Sequence, residues 1–188
     1  MVIAGIDYSM TSPAICIHKG GTWSIKNCTF YYMVQKDKHL VITDQLKGVL
    51  YPQWNNTEQR FHNLAGWSLD VLYENKASFV MIEGYSYGSS SSRLFQIAEN
   101  GGTLKQMIWK SQIDFEVTPP TVIKKLATGK GNSNKEKMWD SFILETGLNL
   151  FNILGQEEKK KWNPVSDIVD SYYLAKHGFE LLLTRSHK

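Results

Sequence analysis

The sequence predicts an α/β fold in which helices cover one mixed β-sheet. Its first half holds several short segments rich in β-branched and aromatic residues, which are typical of antiparallel strands. A continuous apolar run at residues 78–82 is typical of a strand buried on both faces, and segments of helical period lie on either side of it. Strands interspersed with helices in this way favour a sheet layer covered by helices.

The strand-type segments are expected to form most of the sheet. Val2–Asp7 is a short apolar run, residues 12–18 alternate well enough to pair with it, and residues 22–35 form a third strand. Gly20 and Gly21 supply a hairpin turn between the last two of these. A further short strand is predicted at residues 39–43, followed by a loop over 44–56.

The helical segments follow in order. Apolar residues at helical spacing predict an amphipathic helix over Thr57–Asn75, with Thr57 as its cap. Other helices are predicted at residues 93–110, 121–126 and Lys135–Thr146, and a strand at 113–117. Gly147 is placed to end the fourth helix, whereas residues 148–162 are ambiguous. Asn163 as cap and Pro164 in the first turn open a final helix.

Length and composition favour one intracellular domain over several other classes of protein. The 188 residues predict a single domain, 1–188, and 42% hydrophobic residues supply its core. No apolar run is long enough to span a membrane, and the N-terminal residues do not have the pattern of a signal peptide. Two cysteines cannot build a disulfide framework, so a cytoplasmic location is expected.

Positive charge is concentrated in one segment. The net charge is +3, yet residues 119–137 carry five lysines against one glutamate, which leaves the rest of the chain at −1. A local basic stripe of this kind is typical of a phosphate-binding surface, although a solvated helix face has the same pattern. The Gly129–Lys135 stretch lacks the final glycine and Ser or Thr of a phosphate-binding loop, so no nucleotide cofactor is expected.

Four acids stand at the ends of predicted elements. Asp7 ends the first apolar run, Glu83 ends the buried strand, and Asp167 and Asp170 lie on one face at the start of the last helix. If these elements are neighbours, four carboxylates converge, and their repulsion favours a hard divalent cation such as Mg²⁺ or Mn²⁺. Taken singly, each acid also fits a plainer role, such as binding backbone amides or stabilising a helix N-terminus.

These motifs resemble the RuvC-type Holliday junction resolvases, including those of bacteriophage type, in the RNase H-like (retroviral integrase) superfamily. The resemblance rests on Gly-Ile-Asp7-Tyr-Ser, Ile-Glu83, Asp167-Ile-Val-Asp170 and the segment Thr-Pro-Pro-Thr-Val-Ile-Lys-Lys followed by Gly-Lys-Gly and Lys135. It covers nearly the whole chain and implies an RNase H-like fold with a mixed five-stranded sheet flanked by helices. Tyr8 to Thr11 depart from the family's pattern, in which a glycine follows soon after the first aspartate.

The resemblance implies a Mg²⁺-dependent endodeoxyribonuclease that resolves four-way DNA junctions by symmetric nicks. Two ions per site are expected, with Mn²⁺ able to substitute: Asp7 would bridge them, Glu83 and Asp170 would each help hold one, and Asp167 would complete the site. Lys135 would stabilise charge on the phosphate. Lys124 and Lys130 would grip the DNA backbone, and Tyr85 or Tyr87 is a candidate to stack on junction bases.

The resemblance also implies a homodimer, because a two-fold protein matches the two-fold geometry of a junction. The candidate dimer helix is 93–109, which carries more apolar side chains than one sheet face needs, although core packing within one copy explains the same pattern. Two other functions stay open at this point. One is a RuvC-like module that binds branched DNA without cutting it, and the other is an RNase H-like nuclease with other branched or RNA-containing substrates.

Overall fold

A six-stranded sheet lies at the centre of the structure, a computed structural model that describes residues 1–85 and 91–186. The strands are β1 (Val2–Asp7), β2 (Ala14–Lys19), β3 (Cys28–Val34), β4 (Leu46–Leu50), β5 (Phe79–Glu83) and β6 (Asp114–Thr118). Their order across the sheet is β4-β3-β2-β1-β5-β6. β1, β2 and β3 pair antiparallel, whereas β5 and β6 continue the sheet parallel to β1, and β4 lies parallel to β3.

Helices cover both faces of this sheet. They are α1 (Thr57–Asn75), α2 (Ser91–Lys110), α3 (Pro120–Thr128), α4 (Lys135–Thr146), α5 (Leu150–Ile153) and α6 (Val165–Ser186). Alternate residues of β1 point to opposite sides, so Ile3 packs with the core of α4, α5 and α6 while Ala4 and Ile6 pack with α1 and α2. The mixed α/β layer arrangement predicted from the sequence is confirmed.

The longest helix, α6, lies directly on the central strand β1. Gly5 makes this possible, because a Cβ atom at that position would lie 2.1 Å from the backbone nitrogen of Ala175 and 2.3 Å from the carbonyl oxygen of Ser171. Backbone atoms cannot move aside as a flexible side chain can. The missing side chain at Gly5 therefore sets how closely the helix approaches the strand.

Substitution of Gly5 by alanine is expected to destabilise the fold strongly. The added methyl group has to push β1 and α6 apart, which should lower the free energy of unfolding by about 3 kcal/mol. Gly66→Ala is the matched control: no atom lies within 4 Å of a Cβ placed there, and removal of a glycine from a helix stabilises by up to about 1 kcal/mol. Urea unfolding of both variants measures the difference, and equal stabilities would contradict this account of the helix contact.

The sheet differs from the prediction in its first half. The sheet has six strands, one more than the five that the resemblance implies, and β4 lies within residues 44–56, where a loop was predicted. The predicted strand at 39–43 is also wrong: only Ile42 makes an isolated bridge, to Lys47. The third strand begins at Cys28 and not at residue 22, because a short 3₁₀ turn comes first and Ser24 caps it.

The helix predictions agree more closely with the structure. α4 has the predicted bounds, and Gly147 ends it in a left-handed conformation with φ of 70°. α1 also has its predicted bounds, but Asn56, and not Thr57, accepts the capping hydrogen bond from the Gln59 amide. The final helix begins one residue after Pro164. No helix within the described ranges combines the length and apolar character that a bilayer crossing needs.

Candidate active site

Three elements bring the four predicted acids to one edge of the sheet. Asp7 is the last residue of β1 and Glu83 the last of β5, and these two strands are parallel neighbours in register at Ile6 and Ile82. Their carboxyl ends therefore meet at the same edge. α6 lies across β1 and carries Asp167 and Asp170 in its first two turns, which places both carboxylates beside the strand ends.

The electrostatics of the site indicate that the four carboxylates are close enough to repel one another. Burial raises the pKa of Asp7 well above its ordinary value, and the charges of Glu83, Asp167 and Asp170 raise it further. Burial also raises the pKa of Asp170, with Glu83 and Asp167 adding to the shift. The site therefore concentrates negative charge that the protein alone neutralises only in part.

Asp167 has the most closely defined position of the four. Its Oδ2 atom accepts hydrogen bonds from Ser12 Oγ (2.7 Å) and Asn163 Nδ2 (2.8 Å), and Asn163 also donates to Ser12 Oγ (2.6 Å). Burial raises the pKa of Asp167 to about 6, although the bond from Ser12 and the charge of Lys135 lower it in part. The carboxyl of Asp7 lies in hydrogen-bonding range of Asp167.

Two of the predicted lysines face these acids. Lys135 is the first residue of α4, where the Asn134 side chain caps the helix, and its Nζ atom donates to Ser166 Oγ (3.2 Å) at the start of α6. Lys124 is half-buried on α3. Burial raises the pKa of Glu83 to about 7, and the positive charges of Lys124 and Lys135 pull it partly back. Both lysines therefore offset part of the acidic charge.

The remaining predicted residues lie farther out. Lys130 is exposed in the loop after α3, and no described contact joins its side chain to the acids. Tyr85 stands two residues beyond Glu83 and lines a cavity that opens beside Asp7 and Glu83. Tyr87 lies outside the described residues.

Several site residues had no signal in the sequence. Ser12 donates a hydrogen bond to Asp167, which is 155 positions away in the chain, and Ser166 accepts one from Lys135. An isolated serine belongs to no sequence pattern that would mark it as a site residue. Arg60 and Lys105 line the cavity beside the acids, and the sequence places them only as ordinary charges on predicted helices. Asn163 was predicted as a helix cap, and its contact with the Asp167 carboxylate adds a second role.

The donor chemistry of this site suits a hard divalent cation. Four carboxylates supply the oxygen ligands that Mg²⁺ and Mn²⁺ prefer, and a cation would relieve the repulsion that raises their pKa values. Within residues 1–85 and 91–186, no three acid, histidine or cysteine side chains are near enough to one another to hold a single ion as they stand.

The raised pKa values predict how stability depends on pH without metal. Glu83 and Asp167 titrate near 7 and 6 in the folded protein, but near 4 in an unfolded chain, so the folded state holds their protons more tightly. Their contribution to stability is complete below about pH 4 and is lost as pH rises through about 7. The metal-free protein should therefore lose several degrees in Tm between about pH 5.5 and 7.5, since about 2–4 °C corresponds to 1 kcal/mol.

Calorimetry with and without Mg²⁺ checks this pH dependence. We expect Mg²⁺ to raise Tm more at the higher pH, where more of the carboxylates are ionised. Glu83→Gln should flatten the metal-free profile, whereas Glu74→Gln, an exposed change on α1, should leave it as it is. A Tm of the metal-free protein that rises with pH would contradict the crowding of the four carboxylates.

Several solved structures have a fold similar to that of this chain. RuvC of Thermus thermophilus superposes with a TM-score of 0.61 at 17% identity, over 98% of this chain and 97% of that chain. The Fowlpox virus resolvase, in complex with Holliday junction DNA, gives 0.51 at 20% identity over 97% and 99% of the two chains. The yeast mitochondrial Holliday junction resolvase Ydc2 gives 0.60 at 12% identity over 98% and 80%.

These likenesses establish the architecture of the chain. The fold that the resemblance implies, an RNase H-like fold of the RuvC type, is confirmed. The sequence itself matches no family model and no curated relative.

Proposed function

We propose that this chain, which has the fold of the RuvC-type resolvases, is an endodeoxyribonuclease that resolves four-way DNA junctions by metal-dependent phosphodiester hydrolysis. One observation carries the proposal: in this fold, four carboxylates from β1, β5 and α6 crowd together at one sheet edge, with two lysines facing them. Such crowding is costly for a fold and is typical of sites that bind cations for catalysis. The fold likeness to junction-bound resolvases supports the substrate.

Each acid has a proposed part in holding the metal ions. Asp7, whose pKa is raised by all three other acids, would bind both ions, while Glu83 and Asp170 would each help hold one. Asp167 completes the site, since Ser12 and Asn163 fix one of its oxygens. A bound pair of Mg²⁺ or Mn²⁺ ions supplies an activated water and neutralises the leaving oxygen.

The lysines have a different proposed part. Lys135 is held beside Ser166, close to the acids, where its ammonium can stabilise negative charge that develops on the phosphate. Lys124, whose charge acts on Glu83, lies next to the same edge. Lys130 is exposed farther out and is proposed to contact the DNA backbone.

We infer that α2 pairs with α2 of a second copy to give a homodimer. Leu104 and Ile108 are buried in the core, so core packing accounts for that part of the apolar helix. Core packing does not account for Phe95 and Trp109, each of which is 71% exposed. Phe95 lies seven residues before Gly102 and Trp109 seven residues after it, and a Cβ atom added at Gly102 would meet no atom within 4 Å. An antiparallel pair crossing at Gly102 would place each Phe95 against the other copy's Trp109.

Mass measurement in solution tests the dimer. Trp109→Asp is expected to give monomers, because the charge would enter the apolar centre of the interface. Leu144→Asp is the matched control: Leu144 is 89% exposed on α4, away from α2, so this variant should stay dimeric. Dimers of the Trp109 variant would contradict the proposed pairing.

Cleavage of a synthetic four-way junction, beside a linear duplex of the same sequence, tests the function. Paired symmetric nicks in the junction alone, present with Mg²⁺ and lost with EDTA, are the expected result. Binding without cutting in either Mg²⁺ or Mn²⁺ would instead favour a branched-DNA-binding module. Cutting of RNA-containing substrates in place of the junction would favour an RNase H-like nuclease of different specificity.

A further inference from the structure

The loop between β1 and β2, residues 8–13, follows directly on Asp7. Two side chains hold the middle of this loop: the carbonyl oxygen of Met10 accepts one hydrogen bond from the Tyr51 hydroxyl (2.5 Å) and another from Arg60 Nη2. Tyr51 and Arg60 also contact each other, because Arg60 Nε donates to the Tyr51 hydroxyl (3.0 Å). Three mutual hydrogen bonds therefore fix the position of the Met10 peptide.

Each of these two side chains comes from a well-anchored part of the chain. Tyr51 directly follows β4, and its backbone amide donates to the carbonyl oxygen of Val34 on β3 (2.8 Å), which continues the pairing of the two strands. Arg60 lies in the first turn of α1, where the Asn56 side chain caps the helix, and its guanidinium carbon is 4.7 Å from the ring centre of Trp54. The contact with the indole ring holds the guanidinium in one orientation.

The other side of the loop reaches the acidic site. Ser9 Oγ accepts hydrogen bonds from the amides of Thr11 (3.2 Å) and Ser12 (3.3 Å), so the loop closes as a turn around the Met10 peptide. The Ser12 hydroxyl then donates to Asp167 Oδ2 (2.7 Å). Because Ser12 is only two positions after Met10, a shift of the Met10 carbonyl would be passed on to the residue that orients Asp167.

Arg60 also fits a different role, as a direct contact for a DNA phosphate. In the parts of the chain that the structure describes, no carboxylate lies within 4.0 Å of it. Its contacts favour the loop, however, because two of its three guanidinium nitrogens already donate to Tyr51 and Met10, and one face lies near Trp54. Tyr51 donates to the same carbonyl without carrying a charge, so what the two residues share is the loop and not a phosphate.

We propose that Tyr51 and Arg60 are positioning residues for the metal site. By holding the Met10 carbonyl they fix the loop between β1 and β2. Through Ser12, the fixed loop holds the Asp167 carboxylate in the orientation that binds the ion. The inference rests on the proposed nuclease function and adds to it the residues that orient one of its ligands. The strand β4, which the sequence does not predict, would thereby support the metal site through the residue that follows it.

Tyr51→Phe tests this inference, because it removes only the hydroxyl. Partners of metal ligands affect metal affinity or activity about 10–100-fold, and Tyr51 acts one contact farther out. We therefore expect the Mg²⁺ concentration for half-maximal single-turnover cutting to rise about fivefold, with the rate at saturating Mg²⁺ within about twofold of the parent rate. Calorimetric titration with Mg²⁺ should show the same loss of affinity without DNA. Tyr73→Phe, at a side chain 55% exposed on α1, is the matched control and should change neither.

A double-mutant cycle with Ser12→Ala tests the route to Asp167. Ser12→Ala alone should raise the Mg²⁺ requirement about tenfold. If Tyr51 acts through Ser12, adding Tyr51→Phe to that variant should raise the requirement by less than about twofold further. A general loss of stability would not depend on Ser12 in this way. The full fivefold loss in both backgrounds would overturn the proposed route.

The salt dependence of junction affinity separates positioning from DNA contact. For Arg60→Gln we expect a raised Mg²⁺ requirement and a parent-like slope of log Kd against log salt, measured with Ca²⁺ in place of Mg²⁺. A slope smaller by about 1, with a parent-like Mg²⁺ requirement, would make Arg60 a phosphate contact and overturn its positioning role. Variants that need no more Mg²⁺ than a parent protein that cuts junctions overturn the inference and leave the nuclease standing. A parent protein that cuts no junction overturns the nuclease, and the inference with it.

Discussion

Asp7→Asn is expected to abolish junction cleavage while leaving junction binding nearly unchanged. Asp7 interacts with all three other acids, so its replacement removes the carboxylate shared by both proposed ion positions. The loss in rate should be about a thousandfold or more, as for removal of a central group in catalysis. The lysines that are proposed to contact DNA are untouched, so the Kd for the junction should change by less than about threefold.

The same variant should be more stable than the parent protein when metal is absent. Asp7 is 7% exposed, and burial of a neutral amide avoids both the desolvation of a carboxylate and its repulsion by three neighbours. A higher Tm with lost activity separates a metal-binding role from a folding defect. Asp70→Asn, an exposed change on α1, is the matched control and should affect neither property. Residual cutting close to the parent rate would refute the assignment of Asp7.

Lys135→Ala is expected to slow the chemical step by about a hundredfold, a loss typical of removing one positioned charge from a reacting centre. The side chain lies at the first residue of α4, donates to Ser166 and offsets part of the charge of the acids, so its loss should lower the stability of the metal-free protein by about 1 kcal/mol. Junction affinity should fall by only a few-fold, since the other lysines proposed to contact phosphates are still present. Single-turnover rates at saturating protein separate the two effects.

Lys137 offers a matched control for that experiment. It lies in the same first helical turn, is exposed, and gives only its backbone amide to the Asn134 cap. Lys137→Ala should therefore cut at nearly the parent rate. Equal cleavage rates for the Lys135 variant and the parent protein would show that Lys135 does not act at the reacting centre.

The acids could be placed from the sequence because each one ends or begins an element with a strong local pattern. Asp7 and Glu83 follow apolar runs, and the spacing of Asp167 and Asp170 puts them on one helix face, so predicting the elements placed the acids as well. The hydrogen bonds around Asp167 could not be predicted. Ser12 is far from it in the chain, and only the packing of α6 on the sheet brings them together.

The failure to predict strand β4 from the sequence has a similar explanation. Its sequence is short and includes Lys47 and Gly48, which weaken any strand pattern. The glycine is required by a neighbour: a Cβ atom there would lie 2.9 Å from the Tyr32 hydroxyl, which is on the adjacent strand β3. A residue chosen to fit its partner across the sheet gives no local indication of the strand it belongs to.

The contact between α6 and β1 has a consequence for the protein during its synthesis. Asp167 follows Glu83 by 84 positions, so at roughly 5–20 residues per second the ribosome needs about 4–17 s to make the chain between them. During that time the acids of β1 and β5 exist without those of α6, and one face of the sheet lacks its largest cover. A nascent chain therefore cannot hold the four-acid site, and under the proposed function it cannot nick DNA before its last helix has docked.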